Sequence, residues 1–171
     1  LLDEPTKGKI FLFGNSTANI SEDKKNKIIK NYISIIFQNN NLLSDFTALE
    51  NVAMPLIIKN QNYKNFIEKA KKVLAKVNLS HRLNYFPSDL SGGEQQRVAI
   101  ARSLAADTKI ILADEPTGNL DYKTSNEVFS YFLKLKEKNK TILIATHNRE
   151  LAKKADYTLS LVNGDIKRKS K

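Results

Sequence analysis

The sequence predicts an α/β protein in which a mostly parallel sheet carries an inserted helical subdomain. Three observations predict it. Ile33-Ser34-Ile35-Ile36-Phe37, Ile110-Ile111-Leu112-Ala113 and Thr141-Ile142-Leu143-Ile144-Ala145 are short, β-branched and almost wholly apolar, the pattern of strands buried in a parallel sheet. Between the second and third, Tyr122 to Asn139 sets Val128, Phe129, Phe132, Leu133 and Leu135 at helical spacing, so strand, helix and strand make one βαβ crossover. Each strand also stops at a polar residue that a core has no use for: Gln38, then Asp114-Glu115, then His147 after Thr146. In open parallel sheets ligands sit outside the carboxyl ends of the strands, so these distant side chains can converge on one site.

Along the chain, Asp3-Glu4-Pro5-Thr6 leads into Lys7 to Gly14, a turn followed by a strand. Residues 39–90 are polar and helical in pattern, with Phe66, Ala70, Val73, Leu74 and Val77 on one stripe and no strong strand. They read as a helical subdomain inserted into a sheet domain formed by residues 1–38 and 91–171. Ser91 with Glu94 three residues on is a capping box, and Val98, Ala101, Leu104 and Ala105 continue as an apolar stripe, so a helix starts there. At the far end Tyr157-Thr158-Leu159-Ser160-Leu161-Val162 alternates, and Asn163-Gly164 supplies a turn before Asp165-Ile166, which predicts a terminal hairpin. Lys167 to Lys171 reads as a frayed basic tail.

The 171 residues suit one domain, and the absence of Cys excludes a disulfide scaffold, a thiol enzyme and a Cys-ligated zinc site. No apolar run approaches the roughly 18 residues that span a bilayer. Leu1 is followed at once by acidic residues, with neither a charged start nor a signal-peptide core, so the start reads as cut. The formal charge of +10 does not point to nucleic acid. Lys, Asn and Ile, all with A/T-rich codons, make 57 of the residues while Arg makes only 5, which reads as genome composition. The lysines are scattered along helical stretches (Lys69, Lys71, Lys72, Lys76; Lys134, Lys136, Lys138, Lys140) without interleaved aromatics, as on a solvated face. His81, beside Arg82 in a polar stretch, reads as a surface residue, and two distant His make no metal cluster.

The chemistry concentrates in two strings. In Leu90-Ser91-Gly92-Gly93-Glu94-Gln95-Gln96-Arg97 the glycines strip side chains from the first turn of a helix, leaving its N–H groups and positive dipole end open to an anion such as phosphate. In Lys109-Ile110-Ile111-Leu112-Ala113-Asp114-Glu115-Pro116-Thr117 an apolar strand aims two carboxylates at one sheet edge. The first, Asp114, can hold Mg²⁺ through water, and the second, Glu115, can accept the proton of an attacking water. The same Asp-Glu-Pro-Thr at residues 3–6 lacks such a strand and reads as a surface turn. A phosphate-cradling loop, Gly-x4-Gly-Lys-Ser/Thr, has no matching window: Gly14 finds Asn19 where the second Gly is needed, and Gly118 finds Lys123.

The octapeptide from Leu90 matches the signature motif of ABC ATPases in full, and Lys109 to Thr117 resembles a Walker B strand. Gly118-Asn119-Leu120-Asp121 is similar to a D-loop and His147 to the switch histidine. The chain is thus identified as a member of the ABC-transporter ATP-binding subunits. Within them, Phe37-Gln38 and Asn41 to Leu56 resemble the ATPases of lipoprotein-releasing transporters, although Asn39-Asn40 departs from that pattern. The resemblance implies a P-loop NTPase-type fold whose N-terminal strands and Walker A loop lie outside this chain, so that residues 1–171 alone are expected to be inactive. It implies ATP and Mg²⁺ as cofactors, with Gln38 and Asp114 at the metal. Glu115, His147 and Gln38 are expected to be catalytic, and Ser91, Gly92, Gly93, Gln95, Asp114 and Asp121 to bind nucleotide. It implies a homodimer that sandwiches ATP between one subunit's loop and the other's Ser91-Gly92-Gly93, with Asp121 facing the opposite protomer. It further implies integral membrane permease subunits docking near Leu42 to Leu56, a position peripheral to the cytoplasmic face of a bacterial inner membrane, and no direct nucleic-acid partner. Related ATPases of cell division or macrolide export share these motifs. Nucleic-acid-associated ABC ATPases differ: chromosome types place a coiled coil where only 51 residues separate Gln38 from Leu90, and translation factors carry two cassettes.

Overall fold

The structure is a computed structural model of the chain and describes residues 3–59, 62–118, 120–136 and 139–169. Its elements in chain order are β1 (Phe11–Leu12), β2 (Asn15–Ser16), α1 (Glu22–Tyr32), β3 (Ile33–Ile36), α2 (Ala48–Ile58), α3 (Tyr63–Lys76), α4 (Gly92–Ala106), β4 (Ile110–Asp114), α5 (Tyr122–Lys136), β5 (Thr141–Ala145), α6 (Arg149–Lys153), β6 (Thr158–Val162) and β7 (Asp165–Lys169). Short 3₁₀ turns at Ser80–Arg82 and Pro87–Asp89 join α3 to α4, and His81 is exposed in the first of them.

The three apolar segments form a three-stranded parallel sheet in the order β3-β4-β5. Ile33 stands opposite Ile110 and Ile110 opposite Thr141, so all three strands leave the sheet at one edge. The helix between β4 and β5 ends at Lys136, within the expected crossover. The expectation that every strand is buried fails at β5. It is an edge strand whose side chains alternate, with Ile142 and Ile144 turned to the core and Leu143 59% exposed on the other face.

Two apolar clusters hold the chain together. One gathers Val52, Leu56, Ala70, Leu74, Val77, Leu79 and Leu90 from α2, α3 and the 3₁₀ region with Val98, Ala101 and Ala105 of α4. The other gathers Ile36, Ile111 and Ala113 of the sheet with Ile100, Val128, Phe129, Phe132 and Leu151. Burying each such Leu, Ile or Phe contributes about 1.5–3 kcal/mol. Because α4 supplies both clusters from successive faces, it joins the helical region rigidly to the sheet. Its far end is fastened too: Lys59 Nζ donates to Ala106 O, and Lys140 Nζ donates to Thr108 O at 2.6 Å and to the Asp107 carboxylate at 2.9 Å. These cations satisfy backbone carbonyls at and just beyond the helix C-terminus. Lys140 is therefore no solvated-face lysine; Lys136, of whose side chain nothing is described, and Lys138 lie outside the described side chains.

Other sequence expectations are adjusted by local physics. The strand after Gly8 shrinks to Phe11–Leu12, because Phe13 and Gly14 both take left-handed φ and turn the chain back into β2. Helix α1 was not expected. It buries no residue fully and has only a short apolar edge of Ile28, Ile29 and Tyr32; Ser21 caps it and Glu22 and Asp23 occupy its first turn, the signals that mark its start. The terminal hairpin forms with Asn163 and Gly164 at positive φ, and it runs further than expected: Lys167 to Lys169 pair with Ser160 to Thr158 as part of β7, and the rest of the basic tail lies outside the described residues. Among the described residues, six of the nine non-glycine residues with positive φ are Asn, so part of the high Asn content serves turns that need the left-handed region.

Candidate functional site

The site is built where the chain leaves β4. Asp114 pairs with Ala145 as the last strand position, and Glu115 N still donates to Ala145 O at 2.9 Å, but Glu115 turns to a left-handed φ of 42°. That turn swings its carboxylate across the end of β5. Oε1 accepts from the backbone N–H of His147 at 2.7 Å and lies 2.7 Å from His147 Nδ1, while Oε2 accepts from the Thr146 hydroxyl at 3.0 Å. Since an ionised carboxylate only accepts, Nδ1 carries the hydrogen, and Nε2 of a neutral ring is left as an acceptor. Partial burial pushes the Glu115 carboxyl upward, yet the hydrogen bonds from His147 and Thr146 outweigh it and hold the group below the usual carboxylate range. Glu115 is thus ionised at neutral pH and 18% exposed, with the His147 ring 81% exposed beside it.

Gln38 reaches the same place from β3. Gly118 N donates to Glu115 O at 3.0 Å and closes a tight turn, and a Cβ at residue 118 would stand 3.4 Å from Glu115 Cβ and 4.0 Å from Gln38 Nε2. The three strand exits therefore bring Gln38, Asp114, Glu115 and His147 to one edge of the sheet. Asp114 is exposed at the end of β4. Among the described residues no group of three or more acidic, His or Cys side chains could hold a metal ion. One exposed carboxylate and one amide suit a hard cation that keeps most of its ligands as water and phosphate oxygen, which is how Mg²⁺ binds.

The signature string lies at the N-terminus of α4. The capping box forms in both directions: Ser91 Oγ accepts from Glu94 N at 3.3 Å, and Glu94 Oε2 accepts from Ser91 N at 2.9 Å. Gly92 faces open space, whereas a Cβ on Gly93 would meet Leu120 at 3.5 Å and Thr124 at 3.7 Å. So the first turn presents bare N–H groups outward and packs against the start of α5. Gln95, expected at the nucleotide, is engaged locally in this chain. Its side-chain amide donates to Pro87 O at 2.9 Å and Leu90 O at 3.2 Å, fastening the entry loop onto α4. Asp121 also has a local task, for its carboxylate accepts from Thr124 N at 3.0 Å and Thr124 Oγ1 at 2.6 Å and caps α5. Asn119, expected in the same loop, lies outside the described residues.

Two supporting residues escaped the sequence reading. Thr146 stood in the third strand exit without a role, and only folding shows its hydroxyl on Glu115. Arg82 Nε donates to Glu94 Oε1 at 2.8 Å, and its guanidinium lies 4.6 Å from the centre of the Tyr85 ring. Burial opposes ionisation of Glu94, but the Ser91 and Arg82 hydrogen bonds prevail and hold its carboxyl below the usual range.

A parallel sheet whose strand exits carry an ionised, anchored carboxylate, in a chain that also presents a glycine-stripped helix N-terminus, is the kind of site nucleotide hydrolases use. Comparison with known proteins gives the family. The ABC transporter profile matches residues 1–118. The lipoprotein-releasing system ATP-binding protein LolD of Rickettsia bellii (strain RML369-C) is 52% identical over 97% of this chain and 73% of its own length. The chain is also 45% identical, over 97% of its length and 74% of the relative's, to an uncharacterized ABC transporter ATP-binding protein of Methanocaldococcus jannaschii. A solved ATP-binding cassette, dimeric in a post-hydrolysis state bound to ADP and Pi, superposes with a TM-score of 0.92 at 38% identity, covering 99% of this chain and 75% of that one. The chain belongs to the ABC transporter family, as an ATP-binding cassette of the ABC ATPase type.

Proposed function

We propose that the chain is the ATP-hydrolysing subunit of a lipoprotein-releasing transporter, working as a dimer on the cytoplasmic face of a bacterial inner membrane. The observation that carries the hydrolytic reading is the Glu115 carboxylate, ionised and fixed by Thr146 and His147 at the strand edge that Gln38 also reaches. The cargo follows from the relatives named for lipoprotein release at about half identity over nearly the whole chain. Glu115 orients an attacking water and takes its proton, while His147, in the doubly protonated form in which Nε2 is also a donor, contacts the transferring phosphoryl group. Asp114 and Gln38 would hold Mg²⁺, which when bound supplies charge neutralisation at the phosphates. Ser91, Gly92 and Gly93 offer backbone N–H groups to nucleotide held by the second subunit. Asp121, which also caps α5, faces that subunit. In this reading residues 39–90 act as one helical unit and residues 1–38 and 91–171 as the sheet unit, with α4 shared between their cores.

Purified residues 1–171 should show no Mg²⁺-dependent ATP turnover above their own Glu115→Gln variant, because no window in them cradles the β- and γ-phosphates. The same residues following a Gly-x4-Gly-Lys-Ser/Thr segment, here termed the loop-bearing subunit, should turn over ATP. Activity of residues 1–171 alone would overturn the site assignment.

The docking reading is supported by a more exposed subset of Leu42 to Leu56 than the whole stretch. Val52 is fully buried and Leu42 and Leu49 pack against the helical core, whereas Leu43 and Phe46 stay open, 41% and 38% exposed. Backbone bonds from Ala48 N to Tyr85 O and from Leu49 N to Leu83 O set exposed Tyr85 and Phe86 beside the start of α2, giving an apolar surface suited to a partner helix. Among the described residues no helix is long and apolar enough to cross a membrane. Phe46→Asp or Leu43→Asp in the loop-bearing subunit should leave the unfolding midpoint and nucleotide binding within error and abolish co-purification with the permease subunits. Unfolding of both variants would mark these residues as core and end the docking assignment.

A further inference from the structure

Gln38 is followed by a segment that would not hold its shape alone. Asn40 and Asn41 both take left-handed backbone, with φ of 53° and 44°, and Asn40 Oδ1 is buried with no hydrogen-bond partner. Asn tolerates one such residue well; two in succession add to the cost and need an external hold. The hold comes from α4. Arg102 Nη1 donates to Asn41 O at 2.7 Å and Nη2 donates to Asn40 O at 2.9 Å, so one planar guanidinium bridges two successive carbonyls. Its sequence neighbour grips the preceding strand: Ser34 Oγ lies 2.7 Å from Ser103 Oγ and 2.8 Å from Thr108 Oγ1. Consecutive residues of α4 thus fix β3 and the loop that β3 feeds. Ser91 and the glycines begin the same helix ten residues before Arg102, roughly 15 Å along a rigid rod.

We propose that Arg102 is a positioning residue that clamps the Asn40-Asn41 turn, keeps Gln38 beside Gly118 and Glu115, and ties that loop mechanically to the signature end of α4. The functional half rests on the reading of Gln38 as part of the hydrolytic site; the clamp itself does not. Amide exchange in residues 1–171 tests the clamp. Arg102→Met should speed exchange at Asn40 and Asn41 at least about tenfold, since opening the turn no longer breaks two charge-assisted bonds. Leu43 N–H, which donates separately to Asn51 Oδ1 at 2.9 Å, should keep its wild-type rate and serves as an internal control. Arg102→Lys, which keeps the charge but not the fork, should fall between, and it carries the test if Arg102→Met does not fold. Unchanged exchange at Asn40 and Asn41 in the folded variants, or an equal rise at Leu43, would overturn the clamp. In the loop-bearing subunit assembled with its permease, Arg102→Met should lower kcat about tenfold with KM for ATP within about twofold, and should add nothing on top of Gln38→Ala. Additive losses would overturn the coupling through Gln38. A Gln38→Ala subunit with wild-type kcat would instead sink the hydrolytic reading of Gln38, while the exchange result still decides the clamp.

Discussion

Glu115→Gln in the loop-bearing subunit should lower ATP turnover by at least about a hundredfold while nucleotide binding persists, the loss expected when a positioned general base is removed. The amide preserves most of the local geometry. Its oxygen can still accept from His147 N–H, and its nitrogen can donate to the Thr146 hydroxyl, reversing that bond. What it cannot do is take a proton. ATP-bound dimers should therefore accumulate, read by size exclusion against the wild type, and a variant that turns over at near wild-type rate would place the proton acceptor elsewhere. The pH dependence has a definite sign. The folded Glu115 carboxyl lies below its ordinary value, so its contribution to stability is complete above the unfolded carboxylate's range, about pH 4.3, and is lost as pH falls through the folded pKa.

Asn51→Ala should cost residues 1–171 about 2–3 kcal/mol of folding stability, measured as a lowered urea midpoint at unchanged slope. Asn51 is fully buried on α2, and its side chain organises the loop before that helix. Oδ1 accepts from Leu43 N at 2.9 Å, and Nδ2 donates to Phe46 O at 2.9 Å and to Leu43 O and Thr47 O at 3.1 Å. Alanine removes the side-chain partner of Leu43 N–H and Phe46 O, whereas Thr47 O still accepts from Asn51 N–H at 2.9 Å and Leu43 O from Phe46 N–H at 3.2 Å. Asn51→Asp sharpens the test, because the carboxylate can still accept from Leu43 N–H but loses every donor and adds a buried charge; it should be at least as damaging. A change below about 0.5 kcal/mol in both variants would show that the loop is held by its neighbours. Since the same loop presents Leu43 and Phe46, Asn51→Ala should also weaken permease binding without touching either residue.

The fold was legible where pattern and environment coincide. The three strands, the crossover helix, the capping box at Ser91 and the Asn163-Gly164 turn all carry local signals, and each appears where its signal lies. Helix α1 was not legible because none of its residues is fully buried and its apolar edge is short, so its cap and first-turn charges mark it best. The open face of β5 was invisible for the opposite reason: apolar residues signal a sheet without saying which faces are covered. At the site, residue types announced the carboxylates and the glycines, but not who holds them. Asn51 stands out as a polar residue in the apolar run of α2, yet its partners lie four to eight residues away in a loop without periodicity. Arg102 and Asn40-Asn41 are about sixty residues apart and meet only once α4 packs against β3. Gln95 and Asp121 show the converse, for motif membership suggested a nucleotide while the side chains first satisfy their own backbone neighbourhood.

The left-handed backbone at Glu115 sets stability and activity against each other at one position. A residue with a Cβ pays roughly 1–2 kcal/mol to occupy that region, and glycine does so freely. In a library randomised at position 115 and ranked by thermal survival alone, glycine would gain from backbone relief while forfeiting the bonds to Thr146 and His147, so it would be penalised far less than its chemical emptiness suggests. Ranking the same library by turnover would discard it. Heat resistance is therefore a poor guide to engineering this cassette, and position 115 must be held fixed before any search for hardier variants begins.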